Sequence, residues 1–205
     1  MEVDIVGEDP VTQAIIGRLV NDYRPDIVIA RTLPVRGGQI KSFAPNYNRL
    51  GLPIILLTDL DMDDCAPALI RDWLGNEPVS DTMLFRVACD EAESWLMADR
   101  EGFAHWLSVD VNLIPLPTPK SRRSPLMELR FPIKPSLFMM RNLASMSKKE
   151  KLKEDLAPKK GAGKGPGYNT AMIPFIDKEW NIENAARNSD SLSRAIRGIQ
   201  NFNPA

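Results

Sequence analysis

The stretch LPIILLTDLDMDDC, residues 52–65, decides the fold because it joins an unbroken apolar run to a cluster of acids. The apolar run, residues 53–57, is typical of a strand that is buried on both faces of a parallel sheet. Four aspartates follow within six positions, namely Asp59, Asp61, Asp63 and Asp64. This pattern predicts either a solvated turn that caps the next helix, or a site that holds a cation.

The segments on either side of this stretch repeat the same order of strand and helix. Apolar and β-branched runs predict strands at residues 2–6, 26–33, 52–58 and 83–88. Helical spacing of apolar residues predicts helices between them, at residues 11–22, 39–51 (with Pro45 as an interruption) and 66–75. This alternation predicts an α/β fold, a parallel sheet of about four strands with helices on both faces.

The alternation of strands and helices ends in the second half of the chain. A helix is predicted over residues 90–107, followed by an extended connector over residues 112–136 that holds six prolines together with Arg122 and Arg123. Further helices are predicted at residues 136–147 and within residues 168–202. We therefore divide the chain into an α/β domain, residues 1–115, and a basic connector with a mainly helical C-terminal extension, residues 116–205, that packs on it.

Composition excludes several classes of protein and of site. No stretch reaches the roughly 18 to 20 apolar residues of a membrane helix, and the first ten residues lack the order of a signal peptide, so we expect a soluble, cytoplasmic protein. With two cysteines and one histidine, the chain has neither a disulfide framework nor the ligands of an ordinary zinc site. Any metal is therefore expected to bind oxygen.

Charge is unevenly distributed along the chain. Residues 1–119 carry 9 Lys/Arg against 19 Asp/Glu, whereas residues 120–164 carry 13 against 4. The basic segment is either a solvated face or an arm that neutralises phosphates. The cations that we consider for contact with phosphate are Lys134, Lys159, Lys160 and Lys164. The last three flank a glycine-rich stretch that does not match a P-loop and is interpreted as a mobile surface loop.

Acids follow three of the predicted strands, where ligands bind in parallel α/β sheets. Glu8 follows the first strand, and Asp59 and Asp61 follow the third. If that segment is extended, the two aspartates point the same way and Leu60 points into the protein. Carboxylates that are brought together repel one another, and a bound Mg²⁺ or Mn²⁺ offsets the repulsion. The spacing therefore predicts a metal site.

Other acids have a competing explanation as helix caps. Asp63 or Asp64 is a natural N-cap for the helix at residues 66–75, and Asp90 with Glu91 is expected in the first turn of the next helix. Glu91 and Glu93 lie about 200° apart around a helix, so only one of them faces the site if both are helical. Either is a candidate for the third metal ligand.

These motifs resemble the Toprim domain, the Mg²⁺-binding fold of topoisomerases, primases and OLD-family nucleases. The likeness rests on the acid after strand one, the D-x-D after strand three and the acids downstream. More specifically, residues 57–74, 85–107, 165–176 and 189–199 resemble a bacterial family of Toprim-like proteins. Members of that family are often encoded beside an ATPase, in settings that suggest defence against phage.

The resemblance implies a Mg²⁺-dependent nuclease that acts on nucleic acid with a partner ATPase; a homo-oligomer is compatible with it. It makes Glu8 a ligand and general acid/base, Asp59 and Asp61 ligands, and Glu91 or Glu93 a further ligand. Beside these acids, Lys134 and Lys164 are candidate catalytic cations, since phosphoryl transfer develops charge on the phosphate.

The chain also departs from the pattern of the nucleases. The first motif reads Gly7, Glu8, Asp9 rather than Glu followed by Gly, and Thr12 and Gln13 stand where nucleases often add a second acid. Two alternatives to a nuclease therefore remain. One is a non-catalytic module that binds a nucleotide or nucleic acid and regulates its partner, and the other is a structural adaptor.

Overall fold

The computed structural model describes residues 1–34, 38–121 and 124–204. The sequence predicts a turn at Gly37 and Gly38 after the second strand; Gly37 lies outside the described residues, as do the connector residues Arg122 and Arg123. The chain forms two compact units, one of residues 1–89 with 194–205 and one of residues 90–193. The boundary predicted after residue 115 falls inside the second of these units.

The first unit is built on a four-stranded parallel sheet, as the sequence predicts. Its strands stand in the spatial order β2-β1-β3-β4 and are β1 (Glu2–Gly7), β2 (Val28–Thr32), β3 (Ile54–Asp59) and β4 (Met83–Ala88). Strand β3 pairs with β1 on one side and β4 on the other, and both pairings are parallel. The apolar run at residues 53–57 therefore lies mostly in a central strand.

Helices cover both faces of this sheet. They are α1 (Pro10–Tyr23), α2 (Gln39–Arg49), which runs through Pro45, and α3 (Ala66–Trp73). Ile40 of α2 and Leu69 of α3 share an apolar cluster with Ile54 and Leu56 of β3. Helix α1 contacts β1 and β3. Right-handed crossovers place it on the opposite face, because the chain leaves β1 and β3 in opposite directions.

Strand β2 differs from its prediction. The sequence predicts a buried strand here, whereas most of β2 is exposed and the side chain of Val28 is 58% exposed. The reason is position, since β2 stands at an edge of the sheet and pairs with β1 alone. Its β-branched residues reflect strand propensity rather than burial.

The second unit is mainly helical. Its helices are α4 (Ala92–Ala98), α5 (Arg100–Leu107), α6 (Pro135–Phe138), α7 (Glu150–Leu156), α8 (Tyr168–Lys178) and α9 (Ile182–Asn188). A π-helical turn (Met139–Leu143) and a 3-10 turn (Ala144–Met146) continue α6, and another 3-10 turn spans Val111–Leu113. Helix α10 (Asp190–Gln200) begins in this unit and ends in the first.

Two predictions for the second unit are wrong. The single helix expected over residues 90–107 is broken at Asp99, whose carboxylate accepts a hydrogen bond from the Gly102 backbone N–H at 3.3 Å and starts α5 as its N-cap. The connector expected to be extended forms an antiparallel hairpin of β5 (Pro117–Ser121) and β6 (Ser124–Leu129).

Three aromatic rings form part of the core of the second unit. Phe175 of α8 packs against Trp106 and Phe103 of α5, with ring centroids 4.6 and 5.3 Å away. This contact fixes α8 on α5. None of the helices in the described part of the chain combines the length and the apolar character that crossing a membrane requires.

Candidate metal centre

The carboxyl ends of β1 and β3 form the topological switch point of the sheet. From β1 the chain crosses to β2 on one side, and from β3 it crosses to β4 on the other. Open parallel sheets bind their ligands in the crevice at such a point, because no crossover connection fills it. Glu8 directly follows β1 and Asp59 is the last residue of β3, so both acids lie at this point.

Hydrogen bonds hold the Glu8 carboxylate beside β3. The hydroxyl of Thr58, a fully buried residue, donates to Glu8 Oε1, and the backbone N–H of Asp59 donates to the same oxygen at 3.3 Å. Within the described part of the chain, no residue donates to the other oxygen, Oε2. Glu8 is thereby held next to the end of β3 through one of its two carboxylate oxygens.

Asp9 has a local role at the start of α1. It is the N-cap, and its Oδ1 accepts hydrogen bonds from the backbone N–H of Thr12 at 2.9 Å and from the Thr12 hydroxyl at 3.1 Å. Gln13 donates to the Gly7 carbonyl at 3.2 Å. Thr12 and Gln13, which stand where a second acid is expected in nucleases, therefore join the helix start to the end of β1.

Asp61 does not continue the strand. Leu60 is buried, as the sequence predicts, and its N–H still donates to the Ala88 carbonyl at 2.9 Å. Asp61 then adopts a left-handed conformation with φ of 49° and lies exposed in a turn. The expectation that alternation along an extended segment aligns Asp61 with Asp59 is therefore wrong, because the extended segment ends at Asp59.

The predicted N-cap of α3 and the predicted place of Asp90 and Glu91 in the first turn of α4 are also wrong, although Glu91 does stand at the N-cap position of α4. Helix α3 has Cys65 as its N-cap residue and no side-chain cap bond, and Asp63 and Asp64 are exposed. Before α4, Asp90 has a positive φ of 61° and Glu91 is an extended N-cap residue with φ of −135°. Glu91 is thus outside the helix, and the 200° argument that separates it from Glu93 does not apply.

Glu91 is buried among partners in the second unit. Its side chain accepts a hydrogen bond from the backbone N–H of Ser136 at 2.8 Å, and one of its oxygens lies 3.5 Å from Lys134 Nζ. Lys134 precedes α6 and Ser136 belongs to that helix. This arrangement ties the start of α4 to the start of α6 and compensates a carboxylate that is 7% exposed.

Glu93 is similarly buried and accepts a hydrogen bond from the hydroxyl of Tyr168, the first residue of α8. Lys164 Nζ lies 4.5 Å from the centre of the Tyr168 ring, within the range of a cation–π contact. The end of the glycine-rich stretch, which the sequence suggests is a mobile surface loop, packs against other residues. Side chains at Gly165 and Gly167 would overlap residues 155–156, so this part is packed.

The second unit also has a cavity that the sequence does not predict. It measures about 420 Å³ and is lined by Asp99, Arg100, Glu101, Leu116, Pro117, Asn184, Arg187 and Asn188. Burial raises the pKa of Asp99, against hydrogen bonds from the Asn181 and Gly102 backbones that lower it. The break at Asp99 forms part of this cavity. The sequence predicts one continuous helix over residues 90–107, and a prediction without the break does not indicate the cavity.

The donor set at the switch point suits Mg²⁺. Among the residues that the structure describes, no group of three or more His, Cys, Asp or Glu side chains is arranged to hold a metal ion. Glu8 and Asp59 are nevertheless the ligand type and number that Mg²⁺ commonly uses, since it binds one or two carboxylates and completes its shell with water and substrate phosphates. Glu8, Asp59 and Asp61 belong to the first unit, and Glu91, Glu93, Lys134 and Lys164 to the second.

Comparison of the chain with protein-family models, with curated proteins and with solved structures found no match. The Toprim likeness therefore rests on the motifs themselves. The roles of Glu8, Asp59, Asp61 and Glu91 or Glu93 as metal ligands, and of Glu8, Lys134 and Lys164 in catalysis, stay predictions.

Proposed function

We propose that the protein carries out Mg²⁺-dependent phosphodiester chemistry on nucleic acid, as a nuclease that works with a partner ATPase in defence against phage. The observation that carries the chemistry is the position of two acids, Glu8 and Asp59, at the switch point of a parallel sheet, where the Asp59 backbone N–H donates a hydrogen bond to the Glu8 carboxylate. The partner and its setting come from the Toprim resemblance alone.

In this proposal the two carboxylates hold Mg²⁺ and the substrate phosphate completes the coordination shell. Asp61 in the following turn is the third ligand candidate of the first unit. Thr58 acts through Glu8, because its hydroxyl and the Asp59 N–H bind Oε1, and Oε2 is the oxygen proposed to bind the metal. Lys134 and Lys164 are proposed as cations that stabilise charge on the phosphate.

A second proposal is a binding module that holds a nucleotide or nucleic-acid end with Mg²⁺ and does not turn it over. It is supported by Thr12 and Gln13, whose polar groups are engaged in local hydrogen bonds where a second acid would supply another metal. One metal with two carboxylates suffices for binding, whereas many phosphodiester reactions use two metals.

The test compares Asp59→Asn and Glu8→Gln with the wild type. We expect either substitution to abolish the heat of Mn²⁺ binding in calorimetry and to slow cleavage of plasmid and single-stranded DNA by at least about 100-fold. Thr58→Val, which keeps the buried volume and removes the hydroxyl, should weaken Mn²⁺ binding by about 10-fold. Asp63→Asn is the matched control, an exposed neighbour that should leave both readouts unchanged.

Each outcome separates the two proposals. Cleavage that is unchanged in both carboxylate variants would rule out a nuclease centred on Glu8 and Asp59. Metal-dependent binding of an oligonucleotide by the wild type, with no product after long incubation in Mn²⁺, would support the binding module instead.

A further inference from the structure

Arg86 is a charged residue in the interior of β4. Its neighbours Phe85 and Val87 belong to the apolar cluster under α2 and α3. Because side chains alternate along a strand, Arg86 points to the other face of the sheet. There its Nε is buried and has no hydrogen-bond partner among the described residues. Buried polar nitrogens are rarely left in this state.

Other arginines of the first unit are compensated by acids. Arg24 pairs with Asp26, and Arg49 pairs with Glu77. Their pKa values are raised by those partners. The pKa of Arg86 is instead lowered, and burial is the cause. A guanidinium remains charged at any ordinary pH, so Arg86 carries an uncompensated, partly buried positive charge.

Gly198 makes room for this guanidinium. A Cβ atom at Gly198, in α10, would overlap Nε, Nη2 and Cζ of Arg86. The glycine backbone therefore covers the edge of the guanidinium that Nε and Nη2 form, and the edge between Nη1 and Nη2 faces away from it. Nη1 and Nη2 are not among the buried atoms without a partner, and Arg86 as a whole is only half-buried. The outer end of the side chain is thus the end that a ligand can reach.

The position of Arg86 relates it to the candidate metal centre. Arg86 pairs with Leu57 of β3, and Asp59 pairs with Ala88 of β4. Leu57, Asp59 and Arg86 therefore direct their side chains to the same face of the sheet, with Asp59 two residues nearer the carboxyl edge. Strand geometry places the Cα atoms of Asp59 and Arg86 about 8 Å apart, a distance that one long side chain spans.

We propose that Arg86 forms a phosphate-binding site, in which a tetrahedral oxyanion is held by the outer nitrogens of a guanidinium that Gly198 fixes in place. Guanidinium nitrogens present parallel donors that match two oxygens of a phosphate. The anion supplies the charge that the described part of the chain leaves uncompensated. Phosphate binding here requires no metal, so it can be tested independently of the proposed metal centre.

Inorganic phosphate is the probe, with EDTA present and ionic strength matched by chloride. We expect saturating phosphate to raise the Tm of the wild type by about 3 °C. Arg86→Met should lose this rise and be at least as stable as the wild type without phosphate, because it replaces an unpaired charge with an apolar chain. Arg49→Met, which removes an exposed and paired arginine, should keep the full rise.

Two further variants test the geometry. Arg86→Lys keeps the charge without the planar donors, and Gly198→Ala pushes a Cβ into the guanidinium; both should reduce the phosphate-dependent rise at least by half. An equal rise in the wild type and Arg86→Met would overturn the site. A marked loss of stability in Arg86→Met without phosphate would also overturn it, since Arg86 would then have a structural partner.

Discussion

Glu128 shows how a single buried carboxyl group shapes the response of this protein to pH. It is 6% exposed in β6 and accepts hydrogen bonds from the Ser191 backbone N–H at 2.6 Å and the Ser189 hydroxyl at 2.8 Å. These bonds favour the charged form, but burial outweighs them and raises the pKa above its ordinary value of 4.5. A raised pKa means that the folded state binds this proton more tightly than the unfolded state does.

The contribution of Glu128 to stability is therefore complete below its unfolded pKa and is lost as pH rises through the folded pKa. We expect Glu128→Gln to remove this dependence, because the amide oxygen accepts from Ser191 and the amide nitrogen donates to the Ser189 hydroxyl. Between about pH 4 and pH 8, the unfolding free energy of the wild type should fall relative to that of the variant. Urea denaturation measures the difference, and Glu150→Gln, at an exposed position of α7, is the control. A difference that rises with pH would contradict the assignment.

At the scale of elements, the junction of β1 and α1 places Glu8 at the switch point. The junction is tight, since a Cβ at Gly7 would lie 3.0 Å from the Gln13 backbone nitrogen and 3.1 Å from Thr12 Cγ2. Gly17 lies further along the same helix, and a Cβ there would meet only Ile29 Cδ1, at 3.9 Å. A methyl group therefore fits at Gly17 but not at Gly7.

Alanine substitutions at these glycines should change stability in opposite directions. Gly7→Ala forces the first turn of α1 to move and should lower the unfolding free energy by about 1 to 3 kcal/mol. Gly17→Ala should raise it by up to about 1 kcal/mol, because alanine is the better helix former. Denaturant midpoints measure both, and a loss of Mn²⁺ binding in Gly7→Ala alone would show that the junction also positions Glu8. Equal effects of the two substitutions would contradict a steric role for Gly7.

Helices and strands with a clear periodic spacing of apolar residues were predictable from the sequence. Elements that depend on a single side-chain hydrogen bond or on the pairing of two short strands were not. Strand β3 and helix α1 follow directly from apolar spacing. The hairpin was hidden because prolines argue against strands, yet Pro117 and Pro119 lie in a two-stranded ribbon, where each strand has an unpaired edge that needs no N–H. The break at Asp99 is marked by that aspartate, whose carboxylate competes for backbone N–H groups, and by Gly102, where a Cβ would overlap the carboxylate.

The candidate site was also predictable only in part. The alternation of apolar runs predicts parallel strands that end at one edge, which places Glu8 and Asp59 at the same edge; that β1 and β3 are neighbours depends on the order of strands in the sheet, which was not predicted. The direction of Asp61 was not predictable, because an aspartate tolerates the left-handed conformation that ends the extended segment. Arg86 was also missed, since one arginine in an apolar strand has no sequence signal that separates a ligand contact from a surface charge.

At the scale of the whole molecule, the first unit is assembled from two separate parts of the chain. Residues 194–205 return to it after the entire second unit. Arg24, near the end of α1, donates to the Phe202 carbonyl at 2.8 Å and to the Gln200 carbonyl at 3.3 Å. Ile199 and Phe202 are buried. These contacts show that the last helical turns of the chain are part of the first unit.

Removal of residues 194–205 should therefore unfold the first unit. The buried side chains that are lost, which include Ile196, Ile199 and Phe202, account for about 5 kcal/mol or more, comparable with the whole stability of a typical domain. We expect the amide protons of β1, β3 and β4 to lose their protection in hydrogen exchange. Removal of residues 203–205 alone is the control and should preserve it. Full protection in the longer truncation would show that α10 contributes little to the first unit.

The return of α10 to the first unit has a consequence for synthesis. As the chain leaves the ribosome, strands β1 to β4 emerge early, but the residues that contact Arg24 and enclose Arg86 are made only after residues 90–193. Domains tend to fold in the order of their synthesis. Here, however, the sheet of the first unit stays incompletely covered until the second unit has been translated. Folding of the first unit is completed only when translation reaches the last helix, so a chain that stalls within the second unit exposes an apolar sheet face to chaperones and proteases.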